Sequence, residues 1–270
     1  MIPSITTLPI DRLRNVTGVF FDIDDTFSSS GKILAPAYTA LWALKQAGYK
    51  VVPITGRPAG WCDHIARMWP VDAVVGENGA FYFRVDDESG SFVKRFVDDD
   101  HTRRVKREKL RLIGKEILEK VPGTALASDQ NYREADLAVD FCEDVPRLSW
   151  DAIDGICSIF KTHGATCKVS SIHVNGWFGN YSKLDMTRTL VRELWNMDLE
   201  TDKHRFVYLG DSPNDEPMFQ FFPLSVGVNN VLAFTDRMTF LPAYVTSRDG
   251  GEGFAETVDL MLKKINVAKQ

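Results

Sequence analysis

From residue 18 onward the chain alternates short apolar runs of strand character with segments of helical periodicity, the order that builds a parallel sheet covered by helices. Residues 18–23 (GVFFDI) read as a buried strand. Pro36 suits the first turn of a helix whose Leu41 and Leu44 share a face, and Gly48 stands where a helix C-terminal cap is expected. Residues 50–55 (KVVPIT) form the next strand, Pro58 opens a helix with Trp61, Ile65, Met68 and Trp69 at helical spacing, and residues 71–76 (VDAVVG) supply a third strand. These are parallel β-α-β units.

Near residue 81 the order changes. FYFRV and SFVKRF flank an acidic, glycine-containing turn, as in an antiparallel hairpin. A helix over 102–121, a strand at 136–141, a helix over 149–163 and a strand-rich stretch at 166–174 follow. The α/β order resumes with a helix near Lys183, strands at 205–210, 224–228 and 243–246, and a last helix from Phe254. The expected architecture is therefore α/β: a doubly wound, Rossmann-like parallel-sheet core made of residues 1–82 and 178–270, with an inserted α+β cap at 83–177. Ligands of open α/β sheets bind beyond the carboxyl ends of the strands, where such an insertion acts as a lid.

Composition narrows the function. With 32 Lys and Arg against 37 Asp and Glu, the formal charge of −5 offers no global field for a polyanion, so nucleic acid is not an expected partner. No apolar run approaches the roughly 20 residues that span a bilayer, and the opening residues lack a basic start followed by an apolar stretch. The expectation is a cytoplasmic protein with no membrane partner. Cys62, Cys142, Cys157 and Cys167 have neither C-x-x-C nor zinc-site spacing and are read as reduced thiols, mostly filling the core.

Three apolar strands end in groups suited to phosphate chemistry: the first in Asp22 and Asp24, the second in Thr55, and the strand at 205–210 in Asp211. Singly, each such aspartate reads as a turn or helix cap. Their recurrence at strand ends, with Asp215 four residues after Asp211 and Lys183 opening a helix between, argues for one site.

These residues resemble the ordered motifs of the haloacid dehalogenase (HAD) superfamily of phosphohydrolases. Asp22-Ile23-Asp24-Asp25-Thr26 matches its first motif, Thr55 ends the second, Lys183 matches the third, and Gly210-Asp211-Ser212-Pro213-Asn214-Asp215 matches the fourth. The insertion after motif two, with Gly76-Glu77-Asn78-Gly79-Ala80 at its entrance, is similar to the large α/β-cap, Cof-type subgroup that includes sugar-phosphate phosphatases and phosphomannomutases. Asp25 stands at a position that is often glycine, as does Leu184 after the motif-three lysine.

The residue types suit the chemistry. Asp22 supplies a carboxylate nucleophile that splits the displacement into formation and hydrolysis of an aspartyl phosphate, while Asp24 protonates the leaving oxygen and then activates water. Four carboxylates would repel a phosphoryl group, so a cation must join them. Hard oxygen ligands and a phosphate substrate select Mg²⁺, placed on Asp22, the backbone carbonyl of Asp24 and Asp211, with Asp215 bound directly or behind them. With Lys183 counted, a proton on Asp24 brings the site to neutrality. Thr55 and nearby N–H groups donate to the phosphoryl oxygens.

Candidates for the substrate-binding rim are Gly56, Arg57, Asn78, Arg133 and Asn214; Arg133, like Glu134, His173 and Asn175 near the strand ends of the insertion, reads more readily as ordinary surface. Asp25 reads as solvent-facing. Ser182-Lys183-Leu184-Asp185 reads as a helix capping box, which keeps Ser182 out of the site. The basic run from Arg103 to Lys115 is opposed by Leu110, Ile113, Ile117 and Val121 and reads as a solvated helix face.

The leading expectation is a Mg²⁺-dependent phosphatase, a phosphoric monoester hydrolase acting on a small phosphorylated metabolite, with sugar phosphates favoured by the resemblance. A phosphomutase of the phosphomannomutase type shares the aspartyl phosphate. A receiver-like signalling domain shares the acids, threonine and lysine but has no use for Asp24. A binding protein without activity is disfavoured by the intact motifs.

Overall fold

The computed structural model describes residues 2–267. In chain order its first part runs α1 (Ile10–Leu13), β1 (Gly18–Phe21), α2 (Ala35–Gln46), β2 (Lys50–Pro53), α3 (Ala59–Met68), β3 (Val74–Gly76), β4 (Phe81–Val85) and β5 (Phe92–Phe96). The middle holds α4 (Asp100–Lys120), β6 (Ala125–Leu126), β7 (Asp136–Asp140), α5 (Trp150–Thr162), β8 (Thr166–Val169) and β9 (His173–Trp177). The chain then continues through α6 (Lys183–Trp195), α7 (Leu199–Asp202), β10 (Phe206–Gly210), α8 (Glu216–Phe221), β11 (Ser225–Gly227), β12 (Tyr244–Val245) and α9 (Gly250–Val267).

A five-stranded parallel sheet has the order β12-β11-β10-β1-β2. Its strands read as continuous apolar runs because both faces are covered. Along β1, Val19 and Phe21 enter the layer formed with α2 and α9, while Phe20 enters the layer formed with α6 and α8. In β10, Val207 and Leu209 face the first layer, Phe206 and Tyr208 the second. This alternation is the period of two expected of a strand. Register pairs Phe21 with both Leu209 and Pro53, so the strand ends that precede Asp22, Asp211 and Thr55 share one edge.

The second sheet, β3-β4-β5, continues from β2 through a parallel bridge between Ile54 and Val75 and then turns antiparallel. Phe81 and Phe83 pack with Ile65 and Cys62 of α3. The expected division at residues 82/83 thus falls inside β4, a strand tied to β3 and α3. The third sheet, β6-β7-β9-β8, is antiparallel and is covered by α4 and α5, whose Ile113, Ile117, Ile156 and Phe160 form its own apolar layer.

Two elements differ from the sequence reading. The last helix begins at Gly250, four residues before Phe254, because its glycines are needed at its first turn: a Cβ on Gly251 would lie 2.7 Å from the Phe27 carbonyl oxygen. Read locally, that glycine run looks like a breaker. The cysteines also divide: Cys62 is buried core, whereas Cys142, Cys157 and Cys167 are only half-buried.

Candidate active site

The carboxyl edge of the parallel sheet assembles the motif residues. Asp22 follows β1 and is locked by its N–H to the Leu209 carbonyl, 2.9 Å away. Asp211 follows β10. Oxygens of Asp22, Asp211 and Asp215 lie within 4.8 Å of one another, all buried, and form a possible cation site. Lys183, first residue of α6, reaches across the sheet and donates to Asp22 Oδ1 and Asp215 Oδ1, each at 2.7 Å. Ser182 caps that helix by accepting from the Asp185 N–H, which fixes where Lys183 emerges.

Asp215 is saturated. Its Oδ1 also accepts the Tyr208 hydroxyl at 2.6 Å, and its Oδ2 accepts the N–H groups of Asp211 and Ser212. Asp211 accepts from Thr26 at 3.2 Å and Asn230 at 3.3 Å. Burial pushes Asp22 up to about 8, Lys183 opposing the rise and Asp215 and Asp24 adding to it. Burial, with Asp215 and Asp22, also drives Asp211 well above the usual carboxylate range. Burial alone would favour a neutral Lys183, but Asp215 and Asp22 overcome it and hold the amine charged. An all-oxygen, buried donor set whose one lysine leaves it short of positive charge fits a hard divalent cation.

Asp24 does not join that cluster with its side chain. Its carboxylate accepts from Arg57 Nε at 2.9 and 3.0 Å and from Arg57 Nη2 at 2.7 Å. Arg57 thus sets a positive charge directly against Asp24. Arg57 also reaches Glu143 at 2.7 Å and Asp129 at 3.3 Å, both from the inserted segment, and stacks over Trp61 at 4.4 Å. His173 Nε2 lies 2.9 Å from Glu143 on the other side. Burial works against a charged Glu143, but His173 and Arg57 outweigh it and hold the acid down at about 2.

Thr55 is fully buried, and its Oγ1 accepts the Arg57 N–H at 3.0 Å, leaving its own proton available to an oxygen in the site. A cavity of about 10 Å³, room for one water, is lined by Asp22, Asp24, Gly56, Arg57, His173, Asn175 and Asn214. A wider mouth of about 290 Å³ beside it meets Asp24, Asp25, Arg57, Glu143, Arg147 and Ser171.

Several expected positions fall elsewhere. Arg133 is wholly buried, donating to Asp129, to Asp136 at 2.9 Å and to the Gly56 carbonyl at 2.8 Å, so it ties the seam between the sheets and does not reach the pocket. Asn78 adopts a left-handed backbone with φ 55° and is buried beside Gly56, its Nδ2 without a hydrogen-bond partner. Glu134 pairs with Arg107 at the surface. His173 and Asn175, expected as surface, are buried at 3% and 2% exposure and line the small cavity. Asp25 is not solvent-facing: it lines the mouth, and its φ of 54° is the conformation that makes glycine common there and that aspartate tolerates. Arg103 turns inward from the basic helix and is buried at 9% exposure, pairing with Asp100.

The sequence reading missed Tyr208, Asn230 and Glu143, and gave Glu77 no role beyond its place in the run from Gly76 to Ala80. Asn230 follows β11 by three residues, so the strand-end rule that found Asp211 reaches it. Glu77 is buried with φ 43° and accepts backbone N–H groups from Ala59, Glu134, Ala135 and Asp136. Its local mark is the run from Gly76 to Ala80 at the entrance to the insertion.

Comparison with known proteins gives the same frame. Residues 19–107 match the sequence profile of the haloacid dehalogenase-like hydrolases. A Thermoplasma acidophilum structure is similar at 18% identity, with a TM-score of 0.69 and 92% and 98% of the two chains covered. A HAD/COF-like hydrolase from Plasmodium vivax is similar at 15% identity and TM-score 0.67, covering 94% and 99%. The sucrose-phosphatase of Synechocystis, solved with sucrose and phosphate, is similar at 16% identity and TM-score 0.62, covering 91% and 98%. No curated protein matches the sequence. The profile match over residues 19–107 and the fold shared over nine tenths of its length make the chain similar to the haloacid dehalogenase-like hydrolases.

Proposed function

We propose that this protein is a Mg²⁺-dependent phosphatase of small phosphorylated metabolites, sugar phosphates foremost, working through an aspartyl phosphate on Asp22. The observation that carries the reading is the buried trio Asp22, Asp211 and Asp215 bridged by Lys183, with Asp24 two residues from the nucleophile. Asp22, the backbone carbonyl of Asp24 and Asp211 would hold the cation, and Asp215, its oxygens already taken by four donors, orients Lys183 behind them. When bound, the cation offsets the negative charge of carboxylates and phosphoryl oxygens so that they can meet.

Asp22 attacks phosphorus while Asp24 delivers a proton to the departing oxygen, and the P–O bond to the metabolite breaks. Asp24, now a carboxylate, takes a proton from water, which attacks the aspartyl phosphate and frees Asp22. Thr55 donates to a phosphoryl oxygen, and Lys183 restrains Asp22 and opposes the charge that builds on transfer. The sugar-phosphate preference is supported by the likeness to the Synechocystis sucrose-phosphatase and to a trehalose-6-phosphate phosphatase related protein.

The division into core and cap is part of the same proposal. The sheet β6-β7-β9-β8 with α4 and α5 serves as the cap; the β4–β5 hairpin goes with the core because it pairs with β3. A cavity of about 10 Å³ cannot hold a phosphoryl group, so the Arg57–Glu143 contact must part for substrate to enter. The cytoplasm, where small phosphorylated metabolites are made, is the compartment that suits this activity.

The test is a panel of phosphomonoesters, with p-nitrophenyl phosphate as a generic member, assayed for phosphate release with Mg²⁺ and with chelator. Release that needs Mg²⁺ and ranks aldose phosphates first is expected. No release from any ester with any divalent cation would overturn the assignment.

A further inference from the structure

The segment from α5 to β8 brings together two cysteines that the proposed phosphatase chemistry does not use. The turn after α5 is tight: Gly164 has φ 70°, its N–H bonds the Lys161 carbonyl, and the Ala165 N–H bonds that of Phe160. The chain therefore doubles back at once, laying β8 along the last turns of α5. Packing between them is close. Phe160 of α5 sits where Gly176 of β9 leaves room, since a Cβ there would lie 2.0 Å from the ring, and Gly176 pairs with Cys167 in the sheet.

Cys157 is thereby pressed against Cys167. The Cys167 thiol donates to the Cys157 carbonyl oxygen at 3.7 Å, which sets the two cysteines side by side. Both side chains are half-buried, so a small reagent reaches them. The two thiols are also unlike. The neighbouring Cys157, against burial and aided by Lys161 and Lys168, lowers Cys167 to about 7, whereas Cys157 is raised, by its thiol partner and then by burial. Cys142 is pushed up to about 11 by burial, and Cys62 is buried outright.

We infer that Cys157 and Cys167 form a dithiol modification site that reacts with hydroperoxides and closes to a disulfide between α5 and β8. The Cys167 thiolate attacks one oxygen of hydrogen peroxide. The O–O bond breaks, the departing hydroxide takes up the thiol's proton as water, and Cys167 is left as a sulfenic acid. The Cys157 sulfur then attacks Cys167, the S–S bond forms, the S–O bond breaks, and the hydroxide leaves with the Cys157 proton as a second water. Two thiols lose two electrons and one peroxide gains them.

The experiment treats the reduced full-length protein with one equivalent of hydrogen peroxide, alkylates the remaining thiols and maps tryptic peptides without reductant. Cleavage after Lys161 separates the two cysteines unless they are bonded. The expected product is a linked pair of peptides lacking two hydrogens, with Cys62 and Cys142 alkylated. Cys157→Ser should leave a Cys167 sulfenic acid that dimedone captures, and Cys167→Ser should slow consumption of peroxide by at least about a hundredfold, the thiolate being the reacting species. Alkylation of both Cys157 and Cys167 after peroxide, or bonding only between separate molecules, would overturn the inference. The wild-type map decides this even if a serine variant folds poorly.

Discussion

Two buried clusters in this molecule have the same inventory and different fates. At the sheet edge, Asp22 and Asp215 share Lys183 with Asp211 beside them; at the seam, Asp129 and Asp136 share Arg133 with Glu77 close by. Each sets three acids around one shared base, and at the seam Arg57 adds a second contact to Asp129. At the seam the surplus charge is absorbed by the protein, since Glu77 accepts four backbone N–H groups and Asp136 accepts from Asn175 at 2.9 Å. At the sheet edge Asp215 is satisfied in that way, but Asp22 and Asp211 remain short of donors and turn toward each other. A cluster of carboxylates signals a cation only where backbone and side-chain donors fail to satisfy it.

This contrast can be broken by experiment. Asp22→Asn should reduce phosphate release by more than about 10³-fold while leaving the circular dichroism spectrum unchanged, because it removes the proposed nucleophile and keeps the shape of the side chain. Retained turnover would end the covalent mechanism.

Arg133→Met should destabilise the protein by about 3–5 kcal/mol in denaturant titration, since it strands buried acids, yet leave stabilisation by Mg²⁺ intact. Should Mg²⁺ rescue this variant more than the wild type, the seam would also be a cation site and the contrast would fail.

Mg²⁺ at a hundred times its dissociation constant should stabilise the wild type by about 2.7 kcal/mol, and Asp211→Asn should abolish that gain. A thermal midpoint that ignores Mg²⁺ in the wild type would remove the cation from the sheet edge.

The smallest effect concerns the contact between the two regions. Glu143 has its folded pKa depressed from 4.5 to about 2, so its contribution is present above the unfolded value and is lost as pH falls from 4.5 through about 2. Across that window the wild type should lose more stability than Glu143→Gln. Parallel acid titrations would show that the Arg57–Glu143 pair does not hold the closed form.

Much of the site was legible because it is local. Asp22, Asp24, Thr55, Asp211 and Asp215 each end a strand or follow it within a few residues, and Lys183 opens a helix behind a serine cap, so pattern and spacing locate them. Arg133 misled because an arginine near a strand end looks the same whether it meets a ligand or three protein acceptors. Tyr208 was hidden inside its strand, where only the facing Asp215 distinguishes it from core.

The sequence by itself determined the β-α-β order, the apolar strands, the antiparallel turn at residue 81 and the strand-end acids, because periodicity and capping act over a few residues. The tertiary structure alone decided that Arg57 clamps Asp24, that Glu143 and His173 close over it, that β4 belongs with β3, and that Glu77 draws four N–H groups from two distant segments. Apart from the β3–β4 pair, those partners lie 18 to 86 residues away. Which of several acids satisfies a buried base is set by the spatial arrangement of segments, and no short-range pattern in the chain encodes it.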